Sequence, residues 1–260
     1  MLLSFAIDLG EVMLRNGAET HRVEDTLERI LSVSKDSMPE TFVTPTGIFA
    51  SIHSPLYGGT ITKFKRISER SINLEKVTKA NSLSRNFVEG KISLVKGFDE
   101  LEKIDGIKPF NTALVLLMHG LVCFAFALLF NGCFTDGLVA FAVGVLLGIT
   151  NNLMSRRTSP FLASLIGGAS ITIYTMVFYC LGMVISYETV ITGSIMPLVP
   201  GVAITNAVRD IMNGDFLSGA SRVTEAIITA VAVAASVGVV LSVSSKLGVI
   251  CYGGYMDFCV

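Results

Sequence analysis

Charge leaves this chain abruptly at Pro109. Of its 41 charged side chains, 30 fall in the first 109 residues, split evenly between Lys/Arg and Asp/Glu, and only 11 fall in the 151 residues that follow. Placing an unpaired charge in hydrocarbon is costly, so the charge-poor half suits lipid and the charge-rich half suits water. The whole composition agrees: 16% of residues are charged, against about 25% in ordinary globular proteins. A net charge of -1 gives no electrostatic case for nucleic acid as a partner, because such binders carry a basic excess. The partition predicts an α/β (α+β) cytosolic domain over residues 1–109 and an all-α transmembrane domain of about five helices over 110–260. No secretory signal is visible. Asp8 and Glu11 interrupt the apolar opening, and no basic segment precedes it.

In the front domain, Leu2, Ala6, Leu9 and Met13 recur at helical spacing, and Asn16-Gly17 supplies a stop. Thr20 is placed to cap a second helix whose apolar face is Val23, Leu27, Ile30 and Leu31. Short strands are expected at Thr41 to Thr44, Ile48 to His53 and Thr60 to Ile67, with turns at Pro45-Thr46-Gly47 and Pro55 to Gly59. Two more helices follow, through Leu74 to Phe87 and Leu94 to Ile104. His21, with Glu19, Glu24 and Asp25 beside it, is the one acid/base cluster here. No nucleophile elbow, phosphate loop, dinucleotide fingerprint or metal-ligand spacing accompanies it, so no cofactor and no metal is expected.

A helix needs about 20 mostly apolar residues to cross a bilayer. Ala113 to Phe130, Phe134 to Leu153, Phe161 to Ile185 and Ala226 to Val243 qualify. Val190 to Pro200 is too short alone and must continue through the Pro/Gly break or re-enter. Lys103, Lys108, Arg156, Arg157, Arg209 and Arg222 fall on alternate span ends, with Lys246 the one discordant basic residue, which predicts five crossings with the N-terminus inside and the C-terminus outside. Ala226, Ala230, Ala234, Gly238 and Ser242 repeat every four residues, a seam that lets another backbone approach; Ala140, Gly144 and Gly148 repeat the pattern. The five cysteines lie in this half without ligand spacing and read as small, soft apolar residues, with a disulfide open to Cys251 and Cys259 if that end is extracytoplasmic.

The candidate substrate path lies at the break. Pro197 and Pro200 remove backbone donors, and Gly201 lets the chain turn. Freed backbone groups cannot face lipid, and broken helices build substrate sites in transporters for that reason. Thr205, Asn206, Arg209 and Asp210 follow directly, then Asp215, Arg222 and Glu225. Asn151, Asn152 and His119 are secondary candidates, His119 as a proton carrier.

Two stretches resemble the threonine/serine exporter (ThrE) family. Asn16-Gly17-Ala18-Glu19-Thr20-His21-Arg22-Val23-Glu24 is similar to its cytosolic N-terminal signature. Pro200-Gly201-Val202-Ala203-Ile204-Thr205-Asn206-Ala207-Val208-Arg209-Asp210, continuing to Asp215, Arg222 and Glu225, is similar to its membrane signature. The resemblance implies a multi-pass bacterial inner-membrane exporter of small polar metabolites. Five spans, where fused members carry about ten, imply the larger, YjjP-like half of a split exporter. Such a half has a YjjB-like small membrane subunit as partner, and one such pair is linked to succinate export. Homo-oligomerisation is an additional expectation. The alternative is a membrane-anchored cytosolic enzyme, hydrolase-like, or a sensor, which would need the His21 cluster.

Overall fold

The computed structural model describes residues 1–34, 38–54, 58–68, 70–154 and 159–248. Arg156, Arg157, Cys251, Cys259 and the turn at Pro55-Leu56-Tyr57, all used in the reading above, lie outside the described residues. The chain forms two compact units. One comprises Met1–Lys108 with Gly201–Thr224, and the other comprises Pro109–Pro200 with the chain from Glu225 onward. The first unit thus takes in a segment that charge partition assigns to the membrane half.

The first unit is built around α1 (Leu2–Arg15), of which nine residues are buried, including Phe5, Leu9 and Met13. A helix apolar on most of its circumference belongs in a core. It is covered by α2 (Thr20–Leu31), α3 (Leu74–Val88), α4 (Leu94–Asp105) and an antiparallel three-stranded meander. The strands are β1 (Met38–Thr44), β2 (Gly47–Ser54) and β3 (Gly59–Arg66), with Val43 opposite Ile48 and Phe49 opposite Phe64. Alternation puts Val43, Ile48 and Ala50 into the core and leaves Phe42, Phe49 and Phe64 exposed. Phe5 packs its ring against Phe87 and Phe98, joining α1 to α3 and α4.

The second unit holds α5 (Thr112–Leu129), α6 (Phe134–Met154), α7 (Pro160–Cys180), α8 (Tyr187–Ile195) and most of α10 (Phe216–Lys246). Pro197 lies in a 3-10 turn, Met196–Leu198, that follows α8. Next comes α9 (Gly201–Met212), which belongs to the first unit. Among the described residues, four helices are long and apolar enough to cross a membrane, or five if the bent pair Tyr187–Leu198 and Gly201–Met212 makes one span. The chain is a mostly helical, multi-pass membrane protein with a small N-terminal sheet. α7 ends at Cys180, short of the expected Ile185, and α10 begins ten residues before Ala226. At 31 residues, α10 is about 46 Å long against a hydrocarbon core of about 30 Å. It is therefore longer than a single crossing requires.

Small residues set how closely these helices meet. A Cβ on Gly144 would lie 2.6 Å from Cys123 Sγ and 2.7 Å from the His119 carbonyl, so α5 and α6 touch there backbone to backbone. Gly193 of α8 meets Ala127 in the same way. Asp136, which is buried, accepts hydrogen bonds from the Ile185 and Ser186 amides at 2.8 and 3.3 Å and so fixes the loop before α8. The buried residues of α10 include Val233, Ser236 and Val237, and Val233 with Ser236 meets Gly168 of α7. The four-residue seam is different: Ala226 is buried, whereas Ala230, Ala234, Gly238 and Ser242 are exposed. Cys133 is disulfide-bonded, which corrects its reading as a plain apolar residue; Cys123 and Cys180 are free.

These two classes of small residue give opposite expectations. Gly144→Leu should destabilise the purified chain by about 1–3 kcal/mol through overpacking, read as a lowered midpoint of thermal unfolding in detergent. Gly238→Leu should leave the midpoint unchanged, since no described residue lies within 4 Å of a Cβ there. Equal losses from both would contradict this division.

Candidate functional site

The segment after the proline break packs inside out relative to a helix in water. The buried residues of α9 are Asn206, Ala207 and Asp210, while Ile204, Val208 and Met212 are exposed. Phe216 and Leu217, at the start of α10, are exposed as well, and Ser218 and Arg222 are buried. α10 packs on α9 at Gly219, where a Cβ would crowd Ile211 and come within 3.0 Å of the Ala207 carbonyl.

The buried polar groups find their partners in the loop between α1 and α2. Gly17 turns the chain with φ +95°, a left-handed conformation that favours glycine. Its carbonyl accepts from Asn206 Nδ2 at 3.0 Å, and the next carbonyl, Ala18, accepts from Arg222 Nη2 at 3.1 Å. Thr20 then donates twice to Asp210, through its amide at 3.1 Å and its hydroxyl at 3.0 Å. Thr20 is therefore not the cap that its position suggests: it is the first helical residue of α2, and a carboxylate some 190 positions away satisfies its amide. That carboxylate also meets the positive end of the α2 dipole. Arg222 Nε lies 3.0 Å from Asp210 Oδ2 without an aligned N–H, so this pairing is one of charge. Asp210 is wholly buried and Arg222 nearly so, whereas Arg209, which pairs with Glu19, is more than half exposed.

A second group of side chains lies next to this contact. The ligand-capable atoms of His21, Glu24 and Asp215 all fall within 4.8 Å of one another. Asp215 sits at the corner between α9 and α10, where Gly214 has φ +93° and the Asp215 amide donates to the Asp210 carbonyl at 2.9 Å. Glu24 Oε1 accepts from the Val43 amide at 2.7 Å, and His21 is exposed. Burial pushes the Glu24 carboxyl above its usual range, with Asp215 and Glu28 adding to the rise and the Val43 amide and His21 opposing it. Burial and the neighbouring Asp210 likewise raise Asp215, against the pull of His21. Sequence reasoning finds no metal-ligand spacing here because only two of the three residues are local. The pair His21 and Glu24, three apart and so on one helix face, is the signal the sequence does hold.

Asn206, Arg209, Asp210 and Arg222 thus meet Gly17, Ala18, Glu19 and Thr20, and Asp215 meets His21 and Glu24. Thr205 is exposed, its hydroxyl donating to the Gly201 carbonyl at 2.9 Å. Gly201 opens α9 outside the left-handed region, so the break rests on the prolines and on extended backbone at Val199. Arg22 lines a surface cavity of about 390 Å3 with Asp25, Arg29 and Arg85. Glu225, Pro197, Pro200, Asn151, Asn152 and His119 belong to the second unit. His119 Nδ1 donates to the Val115 carbonyl at 2.9 Å, a bond within its own helix.

A family model described as "Putative threonine/serine exporter" matches residues 4–244. The chain is 27% identical to a "Probable succinate transporter subunit YjjP" of Klebsiella aerogenes, over 89% of both chains. It is 26% identical to the protein of that name in Escherichia coli, over 92% of both. An uncharacterized protein of Schizosaccharomyces pombe is 23% identical over 87% of this chain and 28% of its own length. No solved structure matches.

Removing Asp210 takes away the carboxylate that the buried Arg222 guanidinium faces. Asp210→Ala is expected to cost about 3–5 kcal/mol of stability, whereas Asp210→Leu combined with Arg222→Met should cost clearly less, because both charges are removed together. Thermal unfolding of the purified variants reads both. A double variant as unstable as the single one would contradict the pairing.

Proposed function

This chain belongs to the threonine/serine exporter (ThrE) family, and from that premise we propose that it is one subunit of a bacterial inner-membrane exporter of small polar metabolites, not an enzyme. The substrate is a dicarboxylate such as succinate, or threonine and serine, and a second small, YjjB-like membrane subunit completes the pathway. One observation carries the reading: α9 buries Asn206 and Asp210 and exposes Ile204, Val208 and Met212. In water such a face is unfavourable; against lipid or an apolar partner it is the stable arrangement.

Thr205 and Arg209, exposed beside the proline break, are the groups through which substrate passes. The planar guanidinium of Arg209 binds both oxygens of a carboxylate, so substrate exchanges for Glu19 at that position. Asn206, Asp210 and Arg222 hold the path in shape. Support for the partner comes from the word "subunit" in the names of the two YjjP relatives. The exposed seam at Ala230, Ala234, Gly238 and Ser242 supports it too, being suited to close helix approach. The front domain is cytosolic. The Asn131-Gly132-Cys133 loop, free of basic residues, faces outward, where the Cys133 disulfide persists.

Reconstitution in proteoliposomes tests this. The purified chain alone should move succinate, serine or threonine at the rate of empty vesicles, with export appearing once a YjjB-like protein is added. Robust transport by the single chain would overturn the two-subunit reading in favour of self-assembly.

A further inference from the structure

We propose that His21, Glu24 and Asp215 bind one divalent transition-metal ion of the zinc class, tying α2 to the corner between α9 and α10. His21 and Glu24 lie three residues apart on one face of α2, and the fold brings Asp215 to them from the far end of the sequence. Two of the three are already positioned. Glu24 is anchored through Oε1 by the Val43 amide at 2.7 Å, and the Asp215 amide is bonded to the Asp210 carbonyl at 2.9 Å.

The observation that points to a cation is Asp215 Oδ2, which is shielded from solvent and accepts no hydrogen bond from the described residues. An anionic oxygen without water or a donor is costly. Among the described residues, no Lys or Arg lies within ion-pair distance of Glu24 or Asp215. A dication balances these two carboxylates and gives the orphaned oxygen its partner.

The donor set selects the ion. Magnesium and calcium favour oxygen alone, whereas an imidazole with carboxylates suits zinc and its neighbours. Ligand atoms about 2 Å from such an ion stand about 3.3 Å apart. The cluster, spread over at most 4.8 Å, closes by rotation of the exposed His21 ring. Three protein ligands leave a fourth position to water or to a carboxylate. Binding here is independent of export, so either can fail alone.

The test uses the full chain in detergent, stripped with a chelator and titrated with Zn2+ by calorimetry and with Co2+ by visible absorption. The expected result is one equivalent of Zn2+ bound, and a Co2+ spectrum of low coordination number that Zn2+ abolishes. His21→Ala, Glu24→Gln and Asp215→Asn should each weaken Zn2+ binding by about tenfold or more. His53→Ala and Glu28→Gln should leave it unchanged, and unfolding midpoints of the metal-free variants check that each is folded. Absence of stoichiometric binding, binding that survives all three substitutions, or displacement of Zn2+ by equimolar Mg2+ would each overturn the proposal.

Discussion

One buried carboxylate organises the first unit. Asp210 accepts both donors of Thr20 and faces the guanidinium of Arg222, which in turn holds the Ala18 carbonyl. A charge removed from water is tolerated only when it is paired and hydrogen-bonded, and Asp210 is both. Each element depends on the others. Without the turn at Gly17, the start of α2 would not present its free amide. Without α10 packed on α9 at Gly219, Arg222 would not reach the carboxylate. The loop before α2 and the segment after the proline break are therefore two sides of a single polar contact.

That contact explains why α9 tolerates its composition. A helix in water hides apolar side chains and solvates polar ones; α9 does the reverse and depends on its buried partners to do so. The prolines at positions 197 and 200 interrupt the helical ladder before α9, and α9 packs with the front of the chain. The length of α10 leaves turns for the same purpose. In the second unit, approach is set instead by glycines such as Gly144 and Gly193, whose missing side chains let backbones meet.

Much of the fold is legible in the sequence, because periodicity and charge are local signals. Apolar runs between Thr112 and Cys180 announce their helices, and alternation at Val43, Ile48 and Ala50 announces the sheet face. The polar residues after Pro200 stand out because charge is expensive in an apolar half. Their partners do not stand out. The contacts from Asp210 to Thr20 and from Asn206 to Gly17 span about 190 positions and leave no periodic trace. Thr20 illustrates the limit: its residue type and position read as a cap, yet its hydroxyl is committed to Asp210. The small-residue seam of α10 reads as packing surface, but pattern alone cannot reveal that Val233 and Ser236 make the contact within the chain.

The claim that these two segments form one functional contact is tested most directly at its exposed edge, where charges can be exchanged without unfolding the core. Glu19 pairs with Arg209, and the Arg209 side chain is 58% exposed. The measurement is metabolite export from cells that carry Glu19→Arg, Arg209→Glu, or both, at matched abundance in the membrane. The expected result is loss of export in each single variant and partial recovery when the two are combined. Single variants that export normally, or a double variant no better than the worse single one, would contradict the claim.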